Sequence, residues 1–192
     1  MTKFNPVNPL LVLSFLLLLT ACGGGPPFPA EEDSLVGADS SADSSAADDC
    51  KATDEEQEML DLVNQARSSV SYCGGADFPV QPAAALIWSC QLRDAAQIHS
   101  DDMATENFVN HVGSDGRYAS DRIDTDYPLD LVGENLAAGD LTIAQVMKQW
   151  LSSTSECSNI AFSRYTHFGS AVATSTESDF SNYWTQVFAK LN

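Results

Sequence analysis

Residues 168–188 read FGSAVATSTESDFSNYWTQVF, two runs of β-forming residues at 168–173 and 183–188 with a polar stretch between them. This pattern predicts an antiparallel β-hairpin near the C-terminus. Earlier segments of the chain carry helical rather than alternating periodicity. Helices that come first and a hairpin that comes late favour an α+β fold, in which helices cover a small sheet.

Three helices are predicted upstream of the hairpin. The first begins at Thr53, whose Thr-x-x-Glu pattern is a capping box ahead of apolar residues at helical spacing. The second spans about residues 89–106, and His99 lies on its apolar stripe, where we interpret it as a core histidine. The third begins at Thr142, while residues 113–130 form a predicted loop rich in Gly, Ser and Asp.

The N-terminal segment has the features of an export signal. Its apolar run at 10–19 is too short to span a bilayer, which needs about 20 residues. It is followed by Leu-Thr-Ala-Cys at 19–22, which resembles the lipobox of bacterial lipoproteins. That resemblance implies removal of residues 1–21 and acylation of Cys22, the acyl chains then holding the protein to a membrane. Gly23 favours the outer membrane by the sorting habit of these lipoproteins, and the alternative is an ordinary signal peptide with a chance cysteine.

Composition divides the remainder into a linker and a domain. Residues 22–49 consist mainly of Gly, Pro, Ala, Ser, Asp and Glu, and such a segment buries too little apolar surface to fold, so we predict a disordered acidic linker. Residues 50–192 are long enough for one core. The formal net charge of −18 argues strongly against a nucleic-acid partner, because such binding depends on Lys and Arg neutralising phosphates.

Four cysteines follow Cys22. An even number in an exported chain predicts two disulfides. Three pairings are possible, and the short segment between Cys73 and Cys90 favours Cys73–Cys90 together with Cys50–Cys157. No CxxC spacing is present, so the sequence does not predict a thiolate zinc site.

Six motifs follow one another through residues 50–192: LVNQAR at 62–67, Trp88 ahead of HSDDMA at 99–104, NHVGSDG at 110–116, GENLAAG at 133–139, WL at 150–151 and YWTQVF at 183–188. In this order they resemble the bacterial branch of the CAP superfamily, also called the SCP domain. The resemblance covers nearly the whole domain. It implies a three-layer α-β-α sandwich, which agrees with the α+β periodicity.

Members of that superfamily carry a cleft with two histidines and two glutamates, which in some members holds a divalent cation such as zinc. The resemblance places the first histidine at His111 and the first glutamate at Glu134, each predicted to lie on a turn. The position of the second histidine is taken by Glu156, and that of the second glutamate by Ser153. We hypothesise that His167 and Glu156 exchange roles, which would keep two imidazoles and two carboxylates in the cleft.

Three functions compete at this level. The incomplete set of cleft residues favours a ligand-binding domain that is not an enzyme, with a lipid or a cell-envelope component as its ligand. The second is a metal-dependent hydrolase or peptidase, with His111 as metal ligand and Glu134 as general base. The third is an envelope adhesion or scaffold protein, which would need only the tether and the acidic surface.

Overall fold

The computed structural model describes residues 50–75, 78–125, 129 and 131–191. The predicted signal, the acylation site at Cys22 and the linker therefore lie outside the described residues. Within the described part of the chain, no helix combines the length and the apolar character needed to cross a membrane.

Eleven elements make up the described part of the chain. In chain order they are α1 (Asp54–Ser69), β1 (Tyr72–Cys73), β2 (Phe78–Pro79), β3 (Ile87–Trp88), α2 (Cys90–Glu106), α3 (Ala119–Arg122), β4 (Val132–Ala138), α4 (Ile143–Ser152), α5 (Thr154–Ala161), β5 (His167–Thr174) and β6 (Asn182–Ala189).

The predicted hairpin forms the centre of a four-stranded sheet. Strands β5 and β6 pair antiparallel, with Phe168 opposite Phe188. The strand order is β3-β5-β6-β4, so β6 pairs with β4 on its other side. The sequence prediction placed Glu134 on a turn, which is wrong: it lies in β4 opposite Val187 of β6. The backbone groups of this segment gain their partners from a strand about 50 residues away, which local periodicity does not reveal.

Helices cover both faces of the sheet. Helix α2 packs on β5 and β6 from one side, while α1, α4 and α5 lie on the other. Alternate residues of each strand therefore belong to different layers. Phe168 and Phe188 pack with α1 and α4, whereas Ala171 and Val187 pack with α2. These layers confirm the α-β-α sandwich that the resemblance implied.

Glycine allows α2 to approach β5 closely. A Cβ atom placed on Gly169 would overlap the backbone of Leu92 and Arg93 in the first turn of α2. Any other residue at this position would push the helix away from the sheet. The position of α2, and of the side chains it carries, therefore depends on this contact.

The predicted helix starts are confirmed. Thr53 and Glu56 form the reciprocal capping box, with the Glu56 carboxylate accepting from the Thr53 amide at 2.8 Å. Thr142 and Gln145 form an equivalent box at α4. Helix α2 begins after Ser89, as expected. The loop predicted at 113–130 contains the short helix α3, whose single turn is below the length that periodicity detects.

The two predicted disulfides are present, but their predicted pairing is wrong. Cys50 is bonded to Cys90, and Cys73 to Cys157. The strand pair β1–β2 directs Cys73 towards α5, away from the start of α2 where Cys90 lies. Proximity in the sequence was therefore a poor guide to the pairing.

We expect loss of the Cys73–Cys157 bond to lower the free energy of unfolding by about 2–4 kcal/mol. Loss of Cys73–Cys157 should be more destabilising than loss of Cys50–Cys90. The Cys73–Cys157 bond spans 84 residues and the Cys50–Cys90 bond spans 40, and a bond that closes a longer loop removes more entropy from the unfolded chain. Cys73 and Cys157 are also fully buried. Urea unfolding of the paired Cys→Ala variants measures both losses. Peptide mapping without reduction that linked Cys73 to Cys90 would contradict the structure.

Candidate functional site

Glu134 is the centre of the candidate site. It points from β4 towards the α2 layer, and its side chain is only 5% exposed. Arg122, at the end of α3, donates from one nitrogen, Nη2, to both carboxylate oxygens at 2.6 and 3.2 Å. Burial raises the pKa of Glu134, while the charges of Arg122 and His111 act in the opposite direction. Because burial outweighs these charges, the ion pair offsets only part of the cost of burying the carboxylate.

Helix α3 holds Arg122 in place. Its guanidinium also donates from Nη1 to the carbonyl of Arg117 at 2.8 Å. The carboxylate of Asp121 accepts from the Tyr118 amide at 2.9 Å and closes the first turn of the helix. Sequence reasoning missed Arg122. A buried carboxylate needs a cation as its partner. The only Lys or Arg residues between His111 and Glu134 in the sequence are Arg117 and Arg122, and this signal could have identified Arg122.

His99 lies behind Glu134. The prediction of a buried core histidine is confirmed: the side chain is inaccessible, and the ring packs edge-on to Phe108. Its Nε2 atom lies 2.8 Å from the carbonyl of Asn110 and 3.6 Å from Oε2 of Glu134. Burial, followed by the charge of Arg122, lowers the pKa of His99 to about 4. The ring is therefore neutral at pH 7 and binds the loop that carries His111.

His111 lies at the mouth of the site. Its Nδ1 atom is 3.5 Å from Oε2 of Glu134, and its side chain is 63% exposed. The structure therefore brings together the two residues that the resemblance placed in one cleft. Both face a cavity of about 300 Å³, whose lining residues are His111, Tyr118, Ala119, Ser120, Val132, Gly133 and Glu134.

Glu156 lies in the first turn of α5 and is not among the residues that line this cavity. Its carboxylate accepts hydrogen bonds from the hydroxyls of Ser153 and Ser155. Partial burial raises the pKa of Glu156, but these hydrogen bonds outweigh it and, with a favourable interaction from His111, hold the pKa below its usual value. Glu156 is thus an ionised group whose direct partners are hydroxyls.

His167 is not among the residues that the structure brings together. It begins β5, where register places it opposite Ala189, which in turn lies opposite Val132 of β4. Two strand spacings, about 10 Å, therefore separate His167 from β4. Its Nδ1 atom hydrogen-bonds the Thr166 hydroxyl at 2.8 Å. This geometry argues against the proposed exchange of roles with Glu156.

The residues of the cleft do not fit a divalent cation. Among the described residues, no group of three or more His, Cys, Asp or Glu side chains is arranged to hold a metal. Glu134 is already neutralised by Arg122, and the position of the second histidine carries the carboxylate of Glu156. A zinc site needs at least three good protein ligands. Among the described residues of the cleft, only His111 has an unengaged ligand atom beside Glu134.

The family model of the cysteine-rich secretory protein (CAP) family matches residues 60–188. Among solved structures, an extracellular protein with an SCP domain from Bacillus anthracis str. Ames is 26% identical with a TM-score of 0.58, over 71% of this chain and 40% of that one. This chain thus spans less than half of that relative. Comparison with curated proteins gives no significant match.

Two more distant structures share the fold. An outer surface protein of Borrelia burgdorferi is 16% identical with a TM-score of 0.54, over 71% of this chain and 95% of that one. The venom allergen-like protein 4 of Schistosoma mansoni is 15% identical with a TM-score of 0.55, over 72% and 89% respectively. At these identities the likeness concerns architecture alone.

We expect Arg122→Gln to lower the free energy of unfolding by about 3–5 kcal/mol at pH 7, because it leaves the buried Glu134 carboxylate without a cation. The double variant Arg122→Gln/Glu134→Gln should recover much of this loss, since it buries no charge. Urea unfolding of both single variants and the double variant gives the coupling energy. If the loss of stability in the double variant equals the sum of the losses in the two single variants, the ion pair does not stabilise the cleft.

Proposed function

This chain belongs to the cysteine-rich secretory protein (CAP) family, and from that premise we propose that it is a non-catalytic domain that binds an apolar ligand at the cell envelope. One observation carries the proposal. A groove of about 420 Å³ runs between α1 and α4, and its wall is predominantly apolar. Its lining residues are Leu62, Gln65, Ala66, Ser69, Ala144, Met147, Lys148, Leu151 and Ser152.

The groove suits a hydrocarbon chain. Leu62, Ala66, Met147 and Leu151 supply the apolar wall, with polar side chains between them. Concave, mostly apolar sites of a few hundred Å³ are typical of small-molecule binding. Covering such a wall stabilises a complex by about 25 cal/mol for each Å² of apolar surface removed from water.

The state of Glu134 supports a role without catalysis. A general base must be free to accept a proton from the substrate or from water. Here the carboxylate is buried and engaged by Arg122, although it lines the solvent-facing cavity beside His111. A metal-dependent hydrolase or peptidase would need both a free base and a third metal ligand. An adhesion or scaffold role would leave the α1–α4 groove without an occupant.

Export and anchoring complete the proposal. Two disulfides are typical of proteins in oxidising, extracytoplasmic compartments. The Bacillus anthracis relative is described as extracellular. Acylation of Cys22 would then place the domain at the surface of a membrane, with the outer membrane as the proposed site, close to a source of amphiphilic ligands.

We expect Ala144→Trp to weaken binding of the neutral apolar dye N-phenyl-naphthylamine by roughly tenfold. An indole at this exposed position would occupy part of the groove and remove apolar contact with the dye, and a tenfold change in affinity corresponds to about 1.4 kcal/mol. Fluorescence titration of the purified protein measures the affinity.

Gln149→Trp is the matched control, because Gln149 is also an exposed residue of α4 but does not line the groove. Equal binding by both variants, or no dye binding by the unmodified protein, would contradict the proposed function.

We expect Cys22→Ala to move the protein from the membrane fraction to the soluble fraction of the cell, since it removes the thiol that carries the acyl chains. Fractionation followed by immunoblotting measures the distribution, with a known acylated lipoprotein as a marker. A variant that still sediments with membranes would contradict anchoring through Cys22 and would leave the groove proposal unaffected.

A further inference from the structure

The two disulfides lie in different surroundings. Cys73 and Cys157 are fully buried in a small apolar cluster with Ala161. Cys50 lies just before α1 and Cys90 lies at the start of α2, and both are only partly buried. A reductant in solution therefore has better access to Cys50–Cys90, whereas Cys73–Cys157 becomes accessible only when the surrounding structure opens.

Cys90 is the first residue of α2. It follows the N-cap Ser89 directly, and the helix is 17 residues long. The first turn of this fully described helix contains no acidic residue. The N-terminal end of a helix carries a partial positive charge, which favours the thiolate form of a cysteine placed there. Reduction of the bond would therefore release the Cys90 thiolate where that charge stabilises it.

Arg93 adds a full positive charge in the same part of α2. Its Nη2 atom lies 3.1 Å from Sγ of Cys50. The guanidinium also faces two carboxylates, with Nη1 at 3.9 Å from Glu56 and Nε at 2.7 Å from Asp94. These carboxylates weaken the effect of the cation, but neither of them pairs with Nη2, the nitrogen that contacts the disulfide. Arg93 thus stabilises negative charge on the sulfur atoms of this bond.

The chemistry of thiol–disulfide exchange depends on that charge. An attacking thiolate displaces one sulfur of the bond as a thiolate, and a stabilised thiolate leaves faster. A disulfide whose reduced form is stabilised also has a higher reduction potential. Cys50–Cys90 closes the shorter loop, so it contributes less to the stability of the fold, and the fold in turn stabilises this bond less. Rate and equilibrium thus favour reduction of the same bond.

We propose that Cys50–Cys90 is a site of thiol–disulfide exchange with a dithiol reductant, and that Cys73–Cys157 remains oxidised as a structural bond. One thiolate of the reductant attacks Sγ of Cys50 to form a mixed disulfide, and Cys90 leaves as a thiolate. The second thiolate of the reductant then attacks the reductant's own sulfur in the mixed disulfide, and Cys50 leaves. The reductant loses two electrons and two protons and becomes a disulfide, while the protein gains two thiols.

The position of the bond gives its reduction a structural consequence. The bond joins the segment that leads into α1 to the first residue of α2, and these two helices cover opposite faces of the sheet. Cys50 also follows the predicted linker at 22–49 directly. Reduction would therefore free the end of that linker from α2. This inference concerns a different part of the domain from the α1–α4 groove and does not depend on the proposed function.

Timed reduction of the folded protein tests the proposal. The Cys22→Ala form of the full chain, in which the two disulfides supply every thiol, is incubated with dithiothreitol at pH 8 without denaturant. Acid stops the reaction, and peptide mass spectrometry after alkylation measures the free thiol at each cysteine. Cys50 and Cys90 should appear together, roughly tenfold faster than Cys73 and Cys157. Equal rates for the two bonds, faster reduction of Cys73–Cys157, or a Cys50–Cys90 bond that stays oxidised would overturn the proposal.

Arg93→Gln tests the electrostatic argument. It should slow the reduction of Cys50–Cys90 by roughly two- to fivefold, because it removes the cation that stabilises the leaving thiolate. The direction of the change is informative, since a substitution that only loosened the structure would speed reduction. Arg164→Gln is the matched control, because it removes the same charge from an exposed residue ahead of β5 that contacts neither disulfide. Unchanged or faster reduction in Arg93→Gln would overturn the role of Arg93.

The Cys90 thiol can also be measured without the bond. In Cys50→Ser, made in the Cys22→Ala form, the rate at which iodoacetamide alkylates Cys90 reports the fraction of thiolate at each pH. This rate should reach half its maximum at a lower pH than that of glutathione measured alongside, and the added substitution Arg93→Gln should move the midpoint back towards that of glutathione. A midpoint equal to or above that of glutathione would show that the start of α2 does not stabilise the thiolate.

Discussion

The carboxylate of Glu134 is buried in a strongly acidic chain, and the organisation of the cleft follows from the need to neutralise it. Arg122 meets that need from the single-turn helix α3, which lies between α2 and β4 in the chain. His99, neutral and buried on α2, binds the same loop through the carbonyl of Asn110. Because α2 reaches this position only through its close approach to Gly169, the packing of the layers and the geometry of the cleft depend on each other.

The elements that the sequence predicted well are those whose signals are local. The start at Thr53 is a capping box within four residues, and the hairpin joins two runs separated by a short polar turn. Strand β4 carries no such signal, because it becomes a strand only by pairing with β6, which follows it by more than 40 residues. The pairing of Cys73 with Cys157 likewise depends on the direction that β1 and β2 give to one side chain.

The cleft shows the same division between local and distant signals. His111 and Glu134 lie together, as the family resemblance implied. Each belongs to a sequence motif of the family, and each motif has a fixed place in the fold. Arg122 has no such motif, and it could be found only by asking which cation compensates a buried carboxylate. His167 was assigned to the cleft by resemblance, because it stands where bacterial relatives often carry glutamate, but the register of β5 places it two strands away from β4.

The sheet separates two environments that differ in chemistry. On the α2 side, Arg122 engages both oxygens of the Glu134 carboxylate, so a ligand that bound this carboxylate would have to displace an internal partner. On the other side, α1 and α4 leave a predominantly apolar groove. Binding energy is gained where surfaces and donors are unsatisfied, not where they are already paired. This difference supports the proposal that the ligand binds in the α1–α4 groove and not in the polar cleft.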